Sequence, residues 1–110
     1  MAYDEILGER VRDAVLARTA NDEKHMFGGL CFLVQGNMSC GVIGDDLVVR
    51  VGKDSHAAAL ERPHTRVMDF TGKPMAGWIY VAAEGLESEQ ALVEWVERGI
   101  EFAKSLPAKS

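Results

Sequence analysis

The sequence predicts an α+β fold of two layers. An antiparallel sheet of about five strands carries helices mainly on one face, in the order α-βββ-α-ββ-α. Three observations predict it. Residues 26–51, MFGGLCFLVQGNMSCGVIGDDLVVRV, alternate short apolar runs with turn formers, as a strand meander does. Near each end of the chain, apolar residues recur three and four apart, the stripe of a packed helix. Between them GWIYVA at residues 77–82 follows the turn-forming TGKP and alternates with a period of two.

The first helix is predicted over residues 4–20. Asp4 is its N-cap, and Leu7, Val11, Ala14, Val15 and Arg18 form its stripe. Residues 21–24, NDEK, read as a polar linker. Residues 25–29, HMFGG, then form a loop whose glycines allow a tight bend. A phosphate-cradling glycine loop needs a helix N-terminus behind it, and here a strand follows.

Three strands come next, over residues 30–35, 38–43 and 47–51, with turns at Gly36-Asn37 and Asp45-Asp46. The expected pairing sets Gln35 opposite Met38, Leu33 opposite Cys40 and Cys31 opposite Val42. In the second hairpin Gly44 faces Leu47, Val42 faces Val49 and Gly41 faces Arg50. Because side chains alternate, Cys31, Leu33, Met38, Cys40, Val42, Leu47, Val49 and Val51 are then expected in the core. Phe32, Val34, Ser39, Gly41, Ile43, Val48 and Arg50 are expected on the outer face. A slip of one residue in either hairpin exchanges the faces.

A short helix is predicted over residues 54–61, stopped by Pro63. Strands follow over residues 66–70 and 77–82, the latter with Ile79 and Val81 inward and Trp78 and Tyr80 outward. The last helix spans residues 88–105, capped by Ser88, with Leu92, Trp95, Val96, Gly99, Phe102, Ala103 and Leu106 as its buried stripe. Glycine in mid-helix costs up to ~1 kcal/mol against alanine, so Gly99 is expected to sit against another backbone.

At 110 residues the chain forms one domain with a single core. Its net charge of −5 argues against direct nucleic-acid binding, which needs clustered Lys and Arg. No apolar run of about 18 residues exists for a membrane span. The N-terminus MAYDEILGER lacks a secretory leader, and the cytoplasm is the expected compartment. Cys31 and Cys40, diagonal on one proposed face, read as small buried hydrophobes without a disulfide. His25, His56 and His64 have no second ligand at metal spacing. No serine has a nucleophile-elbow context. No catalytic residue, metal or cofactor is expected.

Arg50 is the one charge inside LVVRV. It is either an edge charge that deters unwanted pairing or an anion- or partner-binding point flanked by aromatics. Two site readings follow from it. One is a protein partner or homodimer contact through Phe32, Ile43, Val48, Arg50 and Trp78. The other is a small anionic ligand held between the loop of Met26, Phe27, Gly28 and Gly29 and residues 68–77, with Arg50 receiving the anion.

The runs MFGG-L-C-F, GNM-CGVIGDDLVVRVG, RPH-T-R-VMDFTGKPMAGWIYVA-EG and WVERG-EFAKSLP together resemble the N-terminal domain of the TfoX (Sxy) family, over about residues 4–107. The resemblance implies a two-layer α+β fold like that of secretion chaperones. It also implies kinship with a regulator of natural competence that acts on transcription with a cyclic-AMP receptor protein. That regulator carries a second, helical C-terminal domain, so with the chain ending at Ser110 no direct competence role is expected. The resemblance supplies no catalytic residues. The positions it shares, Met26, Phe27, Gly28, Gly29, Gly41, Arg50, Met68, Asp69, Phe70, Gly72, Pro74, Met75 and Gly77, suit fold maintenance as well as binding.

Overall fold

In the computed structural model, residues 3–26, 28–69, 72 and 75–107 are described. The chain runs α1 (Glu5–Leu16), β1 (Asp22–Met26), β2 (Gly29–Val34), β3 (Asn37–Ile43), β4 (Asp46–Arg50), α2 (His56–Leu60), β5 (Thr65–Val67), β6 (Trp78–Val81) and α3 (Glu89–Ser105), with a 3-10 turn at Ala83–Leu86. All strand pairs are antiparallel and the sheet order is β1-β2-β3-β4-β6-β5. The α+β class and the element order are as expected, with six strands where the sequence predicts about five.

Local chemistry explains the element ends. The Asp4 side chain accepts from the backbone N–H of Ile6 and Leu7, capping α1. The helix stops at Leu16 rather than near residue 20 because its apolar stripe ends at Val15, leaving Leu16 exposed. Arg18 then donates to the Ala14 carbonyl, one of the acceptors a helix end leaves open, and to Glu97 on α3. Thr65 does the same behind α2, donating to the carbonyls of Arg62 and Ala59. Residues 68–69, expected in a strand, lie beyond β5; Phe70, at the end of that expected strand, lies outside the described residues.

The added strand is β1, where a polar linker is expected. Asp22 to His25 are exposed, so no alternation marks them as a strand. Backbone pairing with β2 from Leu33 to Gly29 makes one of them. As an edge its charges discourage pairing with another chain. One of them, Glu23, receives the Arg12 guanidinium from α1 at 2.8 Å. That hydrogen bond holds the Glu23 carboxyl below the usual carboxylate range.

The first hairpin corrects the expected register. Its turn is Gln35-Gly36, both at positive φ (55° and 82°), closed by Val34 opposite Asn37. A bulge between Phe32 and Leu33 then shifts the ladder, setting Phe32 opposite Cys40 and Cys31 opposite Gly41. Phe32 and Val34 therefore enter the helix-covered core, and Cys31 and Met38 turn to the other face. The second hairpin closes at Ile43 and Asp46, with Gly44 at φ 59°, setting Val42 opposite Leu47 and Cys40 opposite Val49. That is a slip of two residues, so Cys40, Val42, Leu47 and Val49 keep the expected inward face.

The core lies between this face and the stripes of α1 (Leu7, Val11, Val15) and α3 (Leu92, Trp95, Val96, Ile100), with Ile79 and Val81 inward as expected. Gly99 meets the backbone of the bulged Ser39: a Cβ there would collide with the Ser39 carbonyl oxygen. The expected close approach is present. Ser39 in turn donates its hydroxyl to the Phe32 carbonyl at 3.0 Å, filling an acceptor at the bulge.

The other sheet face is dry as well. Cys31, Met38, Val48 and Tyr80 pack beneath Met68, fringed by Met26, Ile43, Met75 and Trp78. Met75 N–H donates to the Met68 carbonyl, holding the chain folded back over the sheet.

Cys31 and Cys40 thus stand on opposite faces rather than diagonal on one. Burial pushes the Cys31 thiol up to about 11 and the Cys40 thiol up to about 12. Unfolded thiols ionise near about 8.5, so above that pH the unfolded chain gives up protons that the native chain keeps. Their contribution to stability is complete below about pH 8.5 and falls as pH rises towards 11–12. The urea midpoint is expected to drop between about pH 8 and about pH 10, and to drop less in Cys31→Ala. An equal drop in both chains would remove the thiol as the cause.

Candidate functional site

The end of β4 builds the site. Val51 N–H and Gly52 N–H both donate to the Gly77 carbonyl, at 2.8 and 3.1 Å, tying β4 to the start of β6. Gly52 sits at φ +87° directly under the Phe102 ring, so a side chain there would be strained and would strike the ring. Phe102 comes from the last turns of α3. The Arg50 guanidinium lies over both aromatics of this corner, 5.0 Å from the Trp78 ring centre and 5.4 Å from that of Phe102. Arg50, Lys53, Asp54, Ser55, Trp78, Phe102 and Ser105 line an open cleft of about 670 Å³.

The charge state of this corner is unusual for the molecule. Arg10, Arg12, Arg18, Arg62, Arg66 and Arg98 each have a carboxylate within 4.0 Å. Among the described residues Arg50 has none. A half-buried guanidinium stacked on rings keeps its in-plane N–H edge for an external acceptor. Chemically, the corner can hold a carboxylate or phosphate and can fix its orientation.

The structure brings together only part of the expected site. Trp78 lies directly across from Arg50 in the sheet, as β6 pairs with β4. Met26 joins the buried methionine layer on the outer face. Gly28 is exposed at φ +74° in the tight β1–β2 turn, and Gly29 is buried against β3, where a Cβ would collide with the Val42 carbonyl oxygen, so both serve the backbone. Phe27 lies outside the described residues.

That turn sits where β3 ends and β4 begins, whereas Arg50 closes the opposite end of β4. The expected pocket shared by Arg50 and residues 26–29 is therefore two separate places. Phe32 is in the core on the opposite face and Val48 is sealed under Met68 and Tyr80, so neither can touch a partner. Ile43 is half-buried at the fringe of that layer. Phe102, Lys53, Asp54, Ser55 and Ser105 are the members sequence reasoning missed. A signal existed for Phe102, since it follows Gly99 by three residues and so shares its sheet-facing side of α3.

Among the described residues no His, Cys, Asp and Glu cluster could hold a metal ion, and no helix is long and apolar enough to cross a membrane. A model of the TfoX N-terminal domain matches residues 16–103. The chain belongs to that family. The match begins where α1 ends and runs through β1 to nearly the end of α3, taking in β1 to β6 and all of the Arg50 corner but Ser105 of this TfoX N-terminal domain. It starts later than the resemblance from residue 4, so most of α1 lies outside it. Neither a curated protein nor a solved structure matches the chain.

Proposed function

We propose that this TfoX N-terminal domain is a non-enzymatic, cytoplasmic protein-interaction module with a regulatory role, and that its partner presents an acidic group to Arg50. One observation carries the reading. In a chain of net charge −5 whose other arginines are each matched by a carboxylate, the one without a match among the described residues is stacked at the mouth of a cleft. An aromatic-backed arginine is the residue type that dominates protein contacts. Two buried free thiols suit a reducing compartment.

The test is affinity purification of a tagged chain from its own cells, beside an Arg50→Glu variant checked for an unchanged melt. A protein held by the wild type, lost with Arg50→Glu and rebinding as a purified pair supports the reading. A protein held equally by both removes Arg50 as the docking point. A small anion is the second reading, favoured by a cleft volume in the small-ligand range. Stabilisation of the wild type by an anionic metabolite, absent in Arg50→Glu, would shift the assignment to it.

A further inference from the structure

We infer that the Arg50 cleft is one end of a longer groove that takes an extended acidic segment of a partner protein. The inference rests on Arg50 as the docking point and adds the form of what docks. A second depression of about 420 Å³ reaches Arg98 and shares Val51, Ser55, Phe102 and Ser105 with the first. The two adjoin at these four residues. Arg98 and Ser105 lie seven residues apart on α3, so the groove follows the helix for ~10 Å. That is the reach of about three extended residues. A free phosphate or a single carboxylate occupies only one end.

Each end carries an arginine over a tryptophan ring. Arg50 lies 5.0 Å from the Trp78 ring centre, and Arg98 lies 5.0 Å from that of Trp95. Rings of this kind fix the plane of a guanidinium, and a fixed fork suits a carboxylate. Glu94 approaches Arg98 only to 4.0 Å and is engaged by Arg62 at 2.8 Å. The lining has Arg50, Lys53 and Arg98 against Asp54 and Glu101, a positive excess on an acidic chain. Between the ends, the Ser55 hydroxyl can donate to or accept from a peptide backbone, and the Ser105 hydroxyl, which donates to the Phe102 carbonyl at 2.6 Å, can accept from one. Acidic side chains two or three residues apart in an extended segment match the two arginines.

The test is fluorescence anisotropy of the full chain with labelled, end-blocked hexaglutamate, competed by unlabelled hexaglutamate, hexalysine or inorganic phosphate. Saturable binding is expected, displaced by hexaglutamate well before phosphate and not by hexalysine. Arg50→Ala is expected to weaken it roughly tenfold, the low end for a charge-assisted hydrogen bond, and Arg98→Gln about threefold, as for an exposed ion pair. Ser55→Glu, an exposed change midway along the groove, is expected to weaken it as well and serves if Arg98→Gln melts early. Lys24→Ala on β1 is expected to change nothing. Loss with Arg50→Ala but with neither Arg98→Gln nor Ser55→Glu would overturn the groove and leave Arg50 docking standing. Phosphate competing as well as hexaglutamate would overturn the extended segment in favour of a small anion. No binding at millimolar peptide, or binding indifferent to Arg50→Ala, would overturn the inference outright, while the affinity purification reports separately on Arg50.

Discussion

Phe32→Ala is expected to lower the unfolding free energy by about 3–5 kcal/mol, the cost of truncating a fully buried aromatic. Phe32 has 0% exposure and packs between the sheet and the helices. Its removal leaves a void lined by rigid strand and helix side chains, which cannot collapse fully. With total stabilities of about 5–15 kcal/mol usual for domains, the variant keeps only a fraction of its margin. Urea unfolding read by circular dichroism measures the loss, beside Leu33→Ala, a half-buried neighbour on the far side of the bulge. Leu33→Ala is expected to cost about 1 kcal/mol, as a typical substitution does. The opposite order of losses would mean that β2 pairs in the expected register rather than the bulged one.

Gly99→Ala is expected to destabilise by about 2 kcal/mol, against the usual trend. In an exposed helix the same change gains about 1 kcal/mol in propensity. Here the added methyl meets the Ser39 carbonyl, with the carbonyl carbon at 3.0 Å, and backbone cannot step aside as a side-chain tip can. Overpacking of this kind costs typically about 1–3 kcal/mol, and α3 or the bulge must shift to admit it. Gly44→Ala is the comparison: its φ of +59° is strained for alanine but nothing lies within 4 Å. That strain costs about 1–2 kcal/mol with an unchanged core. A neutral or stabilised Gly99→Ala would show that α3 does not seat on β3 at this point.

The sequence made the fold class legible because helix stripes and strand alternation are periodic signals that burial imposes. Ile79 and Val81 facing inward, and Gly99 against a backbone, were readable on those grounds. The register was not. It turns on whether Gln35 accepts a positive φ and on a one-residue bulge at Phe32/Leu33, and neither leaves a mark in a pattern that is apolar on both faces. β1 was hidden for the opposite reason, since an exposed edge strand of charged residues has no apolar face to show. Of the candidate site, Arg50 and Trp78 were legible as a charge and an aromatic in strands. Phe102 was legible as sheet-facing but not as their neighbour, because its contact with them depends on how α3 crosses the sheet end.

The sheet order has a consequence for how the chain is made. β1 to β4 are neighbours both in sequence and in space, joined by two-residue turns, so each hairpin can zip as soon as it leaves the ribosome. β6 breaks that order. It inserts between β4 and the earlier-made β5, and pairs with β4 across some thirty residues of intervening chain. Until it arrives, β4 presents Leu47, Val48 and Val49 on an open hydrogen-bonding edge, the state most exposed to misassociation during synthesis. The Arg50 corner shares that timetable: Arg50 waits for Trp78 and then for Phe102, so the proposed docking point is complete only with the last helix.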